Sequence, residues 1–423
     1  MLNLIKKLLP INRSIMGKGN LQTLKILKEY NKNLKINYFK SGKKIFDWKI
    51  PNEWIIKDSY ILTPDNQKIC DFKKNNLHVV GYSKKIKKNL SLKDLQKNLF
   101  SLNHSPNAIP YITSYYKKNW GFCLKHSERR KLKKGIYKVF INSKFVKGKM
   151  HYGEIYIKGK LKKEIFFSTY ICHPSMANNE LSGPTLAIFL SKFLQNKKRR
   201  YSYRIVFNSE TVGSIAYINK NLPNLKKNLL AGYILTCVGD ERSFSFLPSR
   251  EGNTTSDRFA LKTFNNIKTK KNYYSWLDRA SDERQYCSPG VNLPICSIMR
   301  SKYGSYKEYH TSLDTVGRVV TAKGLNSCFK VYKKIIKDFE KSYFPKSKHK
   351  CEPFMTKYKL YPSINNRSNW VLPSEIETRN IMNFISWCDG KHSLDEIAKK
   401  IELKKNLADK IFKVLLKKKI IEI

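Results

Sequence analysis

The sequence predicts an α/β fold with a mixed sheet, a β-rich part near its N-terminus and a helical module at its C-terminus. Between about residues 135 and 340, short β-branched and aromatic runs alternate with amphipathic segments, which is typical of strands and helices packed in layers. Residues 37–124 contain short aromatic runs separated by turn residues, which indicates a small β-rich part. After Pro345 the pattern is mainly helical.

The elements follow in order along the chain. The apolar spacing of residues 21–30 predicts a helix, and Ser91 is placed to cap a short helix over residues 92–99. The predicted strands are residues 45–48, 77–82, 154–157, 165–171, 203–207, 229–235 and 293–299. The predicted helices of the same region are residues 186–193, a segment from about Ser214, and residues 324–339.

The C-terminal module resembles a winged helix. A basic linker over residues 346–350 precedes three predicted helices, at about residues 374–387, 393–401 and 406–418, and a final strand. Ser393 with Glu396 three residues later forms a capping-box pattern at the second helix.

The net charge of +51 is the most prominent feature of the composition, which has 83 Lys and Arg against 32 Asp and Glu. With 41% hydrophobic residues the chain has material for a core, which excludes a wholly disordered polycation. Clustered Lys and Arg would indicate a nucleic-acid partner, but here they are spread over the chain, which favours a composition bias of the surface. Three tryptophans, Trp48, Trp54 and Trp120, are expected in the core of the β-rich part.

The sequence gives no sign of export. There is no apolar run of about 18 residues, and the first ten residues are too short for a signal-peptide core, so we expect a cytoplasmic protein without a membrane span. The nine cysteines are odd in number and widely spaced, and they form no CxxC pair, so we expect buried free thiols.

Polar residues recur where the predicted strands end. His173 follows the run 165–171, Glu210 follows 203–207, and His310 lies beyond 293–299; Asn179 and Glu180 precede a helix start. Because ligands gather at the carboxyl ends of strands in such sheets, we expect these side chains to meet. Imidazole and carboxylate are ligands of Zn²⁺, and an unliganded Glu beside the metal can act as general base.

Three motifs resemble the zinc aminopeptidase superfamily. They are His173 with Asn179-Glu180-Leu181-Ser182-Gly183, then Glu210-Thr211-Val212-Gly213-Ser214, then Tyr309-His310-Thr311-Ser312-Leu313-Asp314. Longer runs are similar to one branch, the bacterial aminopeptidase-like proteins often associated with polysaccharide biosynthesis: Arg13-Ser14-Ile15-Met16-Gly17, Leu247-Pro248-Ser249-Arg250-Glu251-Gly252-Asn253 and Ser281-Asp282-Glu283-Arg284-Gln285-Tyr286. The resemblance implies a three-layer aminopeptidase-like domain with a mixed sheet (1–36 and 125–345), an inserted β-rich domain (37–124) and a C-terminal winged-helix domain (346–423).

The resemblance also implies roles for the site residues. His173 matches the first metal ligand, His310 the last, and Glu210 the general base. Thr211, Thr236 and Asn179 stand where the superfamily carries carboxylate ligands, so we expect one zinc ion, held by His173, Glu180 (or Asn179) and His310. Further candidates are Asp282 and Glu283, as an additional ligand or to orient a histidine, and a substrate-binding set of Arg250, Arg279, Arg284, Arg300 and Tyr303.

The sequence therefore predicts a zinc-dependent amide hydrolase, either an aminopeptidase or a deacylase of small molecules, with a peptide or another amide as substrate. A role in surface polysaccharide biosynthesis and assembly into a homo-oligomer are further expectations. Two alternatives stay open: a protein that binds a metal or ligand without turnover, and a winged-helix regulator that binds nucleic acid.

Overall fold

The computed structural model describes residues 1–361 and 376–423, which form two compact units, Met1–Lys333 and Lys334–Ile423. Strands of the first unit are β1 Lys35–Lys40, β2 Lys44–Ile45, β3 Trp48–Lys49, β4 Glu53–Leu62, β5 Lys68–Ile69, β6 Ile86–Ser91, β7 Leu99–Phe100, β8 Phe122–Cys123, β9 Ile136–Val146, β10 Lys149–Ile157, β11 Glu164–Tyr170, β12 Ser202–Asn208, β13 Leu229–Ile234, β14 Phe244–Leu247, β15 Lys271–Tyr273 and β16 Ile295–Met299. Its helices are α1 Leu2–Leu8, α2 Lys18–Tyr30, α3 Leu92–Gln96, α4 His126–Arg129, α5 Ser182–Gln195, α6 Val212–Asn228, α7 Thr255–Phe264 and α8 Glu283–Tyr286, and α9 Ala322–Lys341 begins in it.

A mixed eight-stranded sheet forms the centre of the first unit, in the order β1-β10-β12-β11-β13-β16-β14-β15. The inner strands β12, β11, β13 and β16 run parallel to one another. The pairs β1–β10, β10–β12 and β14–β16 are antiparallel, and the edge strand β15 pairs parallel with β14. All seven residues of β11 are buried, as expected for a strand covered on both faces. The parallel inner strands place the ends of β11, β12 and β13 at one edge.

A second, four-stranded sheet, β5-β4-β9-β6, forms the β-rich part. The strand β4 pairs antiparallel with β9. Ile61 of β4 and Val139 and Ile141 of β9 are buried in the core. Its strands come from residues 53–146, and β1 belongs to the large sheet; the predicted limits of this domain remain predictions.

Three expectations for the β-rich part are wrong. Residues 45–48 do not form one strand, because the chain turns between β2 and β3, and Ile45 pairs with Trp48. Residues 77–82 do not form a strand, because the side chain of Asn75 accepts from Leu77 N and starts a single helical turn, Asn76–His78. Trp48 is not in the core, because the tight β2–β3 hairpin turns it outward, and it is 38% exposed. Trp54 is buried, and its indole nitrogen donates to Ser83 O at 2.8 Å.

The second unit contains three further helices, α10 Thr378–Ser386, α11 Leu394–Lys400 and α12 Lys405–Lys417, with the strands β17 Lys346–Ser347 and β18 Ile421–Glu422. Residues 374 and 375 of the first predicted helix lie outside the described residues. The capping box of Ser393 and Glu396 starts α11 as predicted. Residues 346 and 347, predicted as linker, pair with β18 instead.

The cysteines are free, as the sequence predicts. All nine cysteines are free, and eight of them are buried. Within residues 1–361 and 376–423, no helix combines the length and the apolar character needed to cross a membrane.

Candidate metal centre

His173 lies three residues beyond the end of β11 and is held from both sides. Its backbone carbonyl accepts from Arg13 Nε at 3.0 Å, and its ring Nδ1 lies 2.8 Å from Glu180 Oε2. Since an ionised carboxylate only accepts hydrogen bonds, Nδ1 carries the proton in this pair. Burial opposes protonation of the ring, but the hydrogen bond and the charges of Glu180 and Glu210 outweigh it, so the pKa of His173 is raised.

The buried cation Arg13 completes a chain of contacts on the Nδ1 side of His173. Its Nε lies 3.9 Å from Glu180 Oε1, and its Nη1 donates to Leu8 O at 2.7 Å. Glu180, in the turn Ala177–Leu181 before α5, is fully buried with Arg13. Cys172 Sγ, at 3.4 Å from Nδ1, joins His173 and Glu180 in a group whose ligand atoms all lie within 4.8 Å of one another.

Glu210 lies on the other side of the His173 ring, beyond β12. Its Oε2 is 3.6 Å from His173 Nε2, and its Oε1 accepts from Ser281 Oγ at 2.7 Å. The next residue, Thr211, starts α6 with a φ of 63°, a left-handed conformation that is strained for a β-branched residue. Asp282 Oδ1 holds this turn, because it accepts from Thr211 N at 2.7 Å and from Ser214 Oγ at 2.9 Å.

His310 enters the site from the loop after β16, also with a positive φ of 54°. Its Nε2 lies 3.1 Å from Asn179 Oδ1, and its ring centroid lies 5.3 Å from that of His173. The ring of Tyr309 stacks on it at 3.9 Å, and Tyr111 of the β-rich part meets both histidine rings and donates its backbone N–H to His310 O at 2.8 Å. Burial and the nearby His173 lower the pKa of His310 to about 3, so its ring is neutral.

These residues fit a metal ion. Nε2 of His173, the ring nitrogen that does not contact Glu180, lies 3.6 Å from Oε2 of Glu210, so a metal ion bound at this nitrogen would have a carboxylate beside it. The neutral imidazole of His310 and the amide oxygen of Asn179 add ligand types that zinc accepts. The Nδ1 side of His173 is less suited to a dication, because Arg13 already places a positive charge there.

The remaining predicted residues divide into two groups. Asp282, Glu283 and Tyr303 lie beside Glu210: Glu283 Oε1 accepts from Ala280 N at 2.9 Å, Ser281 N at 2.8 Å and the Tyr303 hydroxyl. Burial, then the charge of Glu210, raises the pKa of Asp282 to about 8.

Three of the four predicted arginines contact other parts of the chain. Arg250 pairs with Glu251 at 2.6 Å on the surface. Arg279 lies over the Trp276 ring at 4.8 Å. The buried Arg300 lies over Phe244 at 4.0 Å and donates to Ser327 Oγ.

Several residues of the site were missed by sequence reasoning. The contact of Arg13 with His173 and Glu180 joins residues about 160 positions apart, and no local spacing predicts it. Asp314, which was named in the third motif but given no role, accepts from the backbone N–H groups of Asn178 and Asn179. Tyr111, from the β-rich part, was not predicted at the site. Ser281 could have been found, because it opens the run Ser281-Asp282-Glu283 that was singled out for its carboxylates.

The fold and this site define a protein of the aminopeptidase-like class with a winged helix, and comparisons with known proteins agree. Over residues 2–342 the chain belongs to the family described as a domain of unknown function (DUF4910), and residues 343–423 match a winged helix-turn-helix family. A Clostridium acetobutylicum protein, named for polysaccharide biosynthesis and an aminopeptidase-like domain, is 39% identical over 421 residues, which are 98% of this chain and 95% of that protein.

Solved structures extend the likeness to zinc enzymes. A Clostridium acetobutylicum crystal structure described as a peptidase has a TM-score of 0.80 and 36% identity, covering 100% of this chain and 95% of that one. The zinc aminopeptidase of Bacillus subtilis has a TM-score of 0.59 at 10% identity, covering 80% of this chain and 94% of that one, a likeness of fold. The predicted fold class and the resemblance are thereby confirmed.

Proposed function

We propose that the first unit is a zinc-dependent amide hydrolase, with one zinc ion held by His173 and His310 and with Glu210 as general base. One observation carries the proposal: Glu210 Oε2 lies 3.6 Å from Nε2 of His173, the ring nitrogen that Glu180 does not contact. When bound, zinc would polarise the substrate carbonyl and lower the pKa of water toward about 7. Ser281 occupies Oε1 of Glu210, so Oε2 is the atom that takes the proton.

Glu180 is better suited to orienting His173 than to binding the metal. Histidines that bind metals commonly donate their second ring N–H to a carboxylate, which fixes the ring and its tautomer. Glu180 makes this contact with Nδ1, and Arg13 compensates its charge in the interior. In this arrangement Asn179, the alternative that the sequence left open, would be the third residue to bind the metal, through its amide oxygen.

Metal content and turnover test the proposal together. Purified protein loaded with zinc should retain about one ion per chain. His173→Ala should lose it, whereas Glu210→Gln should keep it and lose about 100-fold or more in turnover. Glu180→Gln should weaken zinc binding about 10- to 100-fold without abolishing it, as expected for an orienting residue. The exposed His104→Ala is the matched control and should change neither property.

The outcomes separate the alternatives. Zinc binding without cleavage of any amide in a panel of peptides and acylated small molecules would favour a binding protein that has lost the reaction. This alternative is motivated by Thr211, Thr236 and Asn179, none of which carries a charge. Absence of both zinc and turnover contradicts the proposal.

The setting of the reaction is a further part of the proposal. The name of the Clostridium acetobutylicum relative supports a role in polysaccharide biosynthesis. We place the reaction in the cytoplasm, as the sequence predicts.

A second candidate function is nucleic-acid binding by the second unit. One face of α12 carries the exposed residues Asn406, Lys410, Lys413 and Lys417, spaced as neighbours on a helix surface. In winged-helix proteins, residues of this kind on the recognition helix contact phosphates and base edges.

A further inference from the structure

Arg284 lies at the rim of the candidate metal centre. Its Nε donates to Ser281 O at 3.0 Å, and its Nη2 donates to Thr211 Oγ1 at 3.1 Å. Thr211 follows the proposed base Glu210, and Ser281 donates to Glu210 Oε1. The guanidinium is therefore held beside two residues that adjoin or contact the proposed base.

Arg284 has N–H groups that the two contacts above do not use. The two contacts above use two of its five N–H groups, its side chain is exposed, and within residues 1–361 and 376–423 it forms no ion pair with an acid. A guanidinium fork held in place, with free N–H groups toward solvent, is suited to bidentate binding of a carboxylate or phosphate.

The carboxylates near Arg284 are not available to a cationic substrate. Glu283 Oε1 and Asp282 Oδ1 accept from backbone and hydroxyl groups, and their second oxygens are buried away from solvent. Glu180 is fully buried beside His173, and its Oε1 is likewise out of reach. Apart from the base Glu210, the described residues of this rim thus provide a partner for an anion and none for the α-ammonium group that an aminopeptidase must bind.

We infer that the substrate carries an anionic group, a carboxylate or a phosphate, beside the scissile amide, that Arg284 binds this anion, and that a free α-amino group is not required. This inference rests on the proposed function and decides between its two forms. It favours a deacylase of acylated acids over an aminopeptidase.

Four substrates of one amino acid test both features separately. N-acetyl-alanine carries only the anion, and alanine p-nitroanilide carries only the free amine. Alanyl-alanine carries both groups, and N-acetyl-alanine amide carries neither. A fifth compound, N-acetylglucosamine 1-phosphate, tests phosphate as the anion. Zinc-loaded wild type should show a kcat/KM about 10- to 100-fold higher for an anionic substrate than for its neutral counterpart, as a charged hydrogen bond contributes. Whichever of the carboxylate and phosphate substrates has the higher kcat/KM shows which anion the site prefers.

Variants assign the preference to Arg284. Arg284→Gln should reduce kcat/KM for the anionic substrates about 10- to 100-fold and leave the neutral ones within about threefold, whereas Arg284→Lys should restore part of the loss. Arg130→Gln, an exposed arginine of the β-rich part, is the control and should change nothing. A preference for the free amine, or an anion preference that Arg284→Gln leaves intact, overturns the inference.

A measurement of ligand binding tests the inference even if no substrate is cleaved. That result would count against the proposed function, and calorimetry with N-acetyl-alanine and with N-acetylglucosamine 1-phosphate would then decide the inference alone. Wild type should bind one of the two at least about tenfold more tightly than Arg284→Gln. Equal affinities, or no binding of either compound, would contradict a role for Arg284 in anion recognition.

Discussion

At the scale of single residues, the site is built from backbone conformations that cost free energy. Thr211 and His310 both have positive φ, and so do Ser175 and Cys237 at neighbouring strand ends. Each such residue costs on the order of 1–3 kcal/mol and persists only where its surroundings impose the conformation. Here Asp282 binds Thr211 N, and Tyr111 N binds His310 O. The strain is therefore concentrated on the residues that point the two key side chains inward.

Asp282 should make the metal-free protein less stable as the pH rises. Burial first, and Glu210 second, raise its pKa to about 8 in the folded chain, against an ordinary value of about 3.9. Between about pH 4 and pH 8 the folded chain therefore keeps a proton that the unfolded chain has released, so the free energy of unfolding falls with rising pH. Urea unfolding should show a loss of about 3–4 kcal/mol between pH 5 and pH 8 in wild type and a much smaller loss in Asp282→Asn.

The matched control for this prediction is Asp278→Asn. Asp278 is solvated, and hydrogen bonds from Ser275 lower its pKa, so its contribution changes below pH 4 and not in the tested range. If wild type and Asp282→Asn follow the same slope between pH 5 and pH 8, the protonated state assigned to Asp282 is wrong.

At the scale of elements, the start of α5 controls where Glu180 and Asn179 lie. Gly183 is the second residue of α5, and a Cβ there would lie 2.1 Å from Leu235 O, beyond the end of β13. Glycine permits this close approach, so the start of α5 lies close to the end of β13. The turn Ala177–Leu181, directly before α5, therefore lies near the sheet edge that His173 follows. The packing of α5 and the positions of Asn179 and Glu180 therefore depend on the same contact.

Replacing Gly183 with alanine should damage stability and zinc binding together. The added methyl group meets backbone rather than a flexible side chain, so α5 must shift, at a cost of about 3 kcal/mol or more. Gly290→Ala is the control, because a Cβ there meets nothing within 4 Å and alanine is expected to be neutral or slightly stabilising. Thermal unfolding and zinc titration of both variants check this; an unchanged Gly183→Ala would show that α5 can move freely.

How far the sequence predicts this site depends on the range of the interaction. His173, Glu210 and His310 could be brought together, because each follows a strand whose pattern is local. The positions of Glu180 and Asn179 could not be distinguished, because they are neighbours in one tight turn and only the fold decides which faces Nδ1 of His173. The contact of Arg13, and the outward position of Trp48, depend on tertiary packing that no spacing encodes.

At the scale of the whole molecule, the charge of +51 has two possible meanings that can be measured. If it is only a surface bias, duplex DNA should bind weakly and without dependence on any particular lysines. If α12 is a recognition helix, binding should depend on its exposed face, which carries Lys410 and Lys413. The structure allows both because both units expose many lysines.

We expect the α12 face to dominate the binding of DNA at low salt. Lys410→Gln with Lys413→Gln should lower the slope of log affinity against log salt concentration by about 2, since each phosphate contact contributes about 0.9. The control pair is Lys87→Gln with Lys88→Gln, two exposed lysines of β6. Fluorescence anisotropy of the full chain with a labelled duplex gives the slopes; equal effects of the two pairs, or no binding, would leave α12 without this role.

The anchoring of the centre by Arg13 and by Tyr111 has a consequence for biosynthesis. Arg13, next to α1, contacts His173, and the loop of His310 completes the site, so the parts span roughly three hundred residues of chain. A ribosome must therefore release nearly all of the first unit before the proposed metal centre can be complete. During synthesis the growing chain passes through a long interval in which Arg13 and His173 are present without His310, and any loading of metal is expected to follow translation.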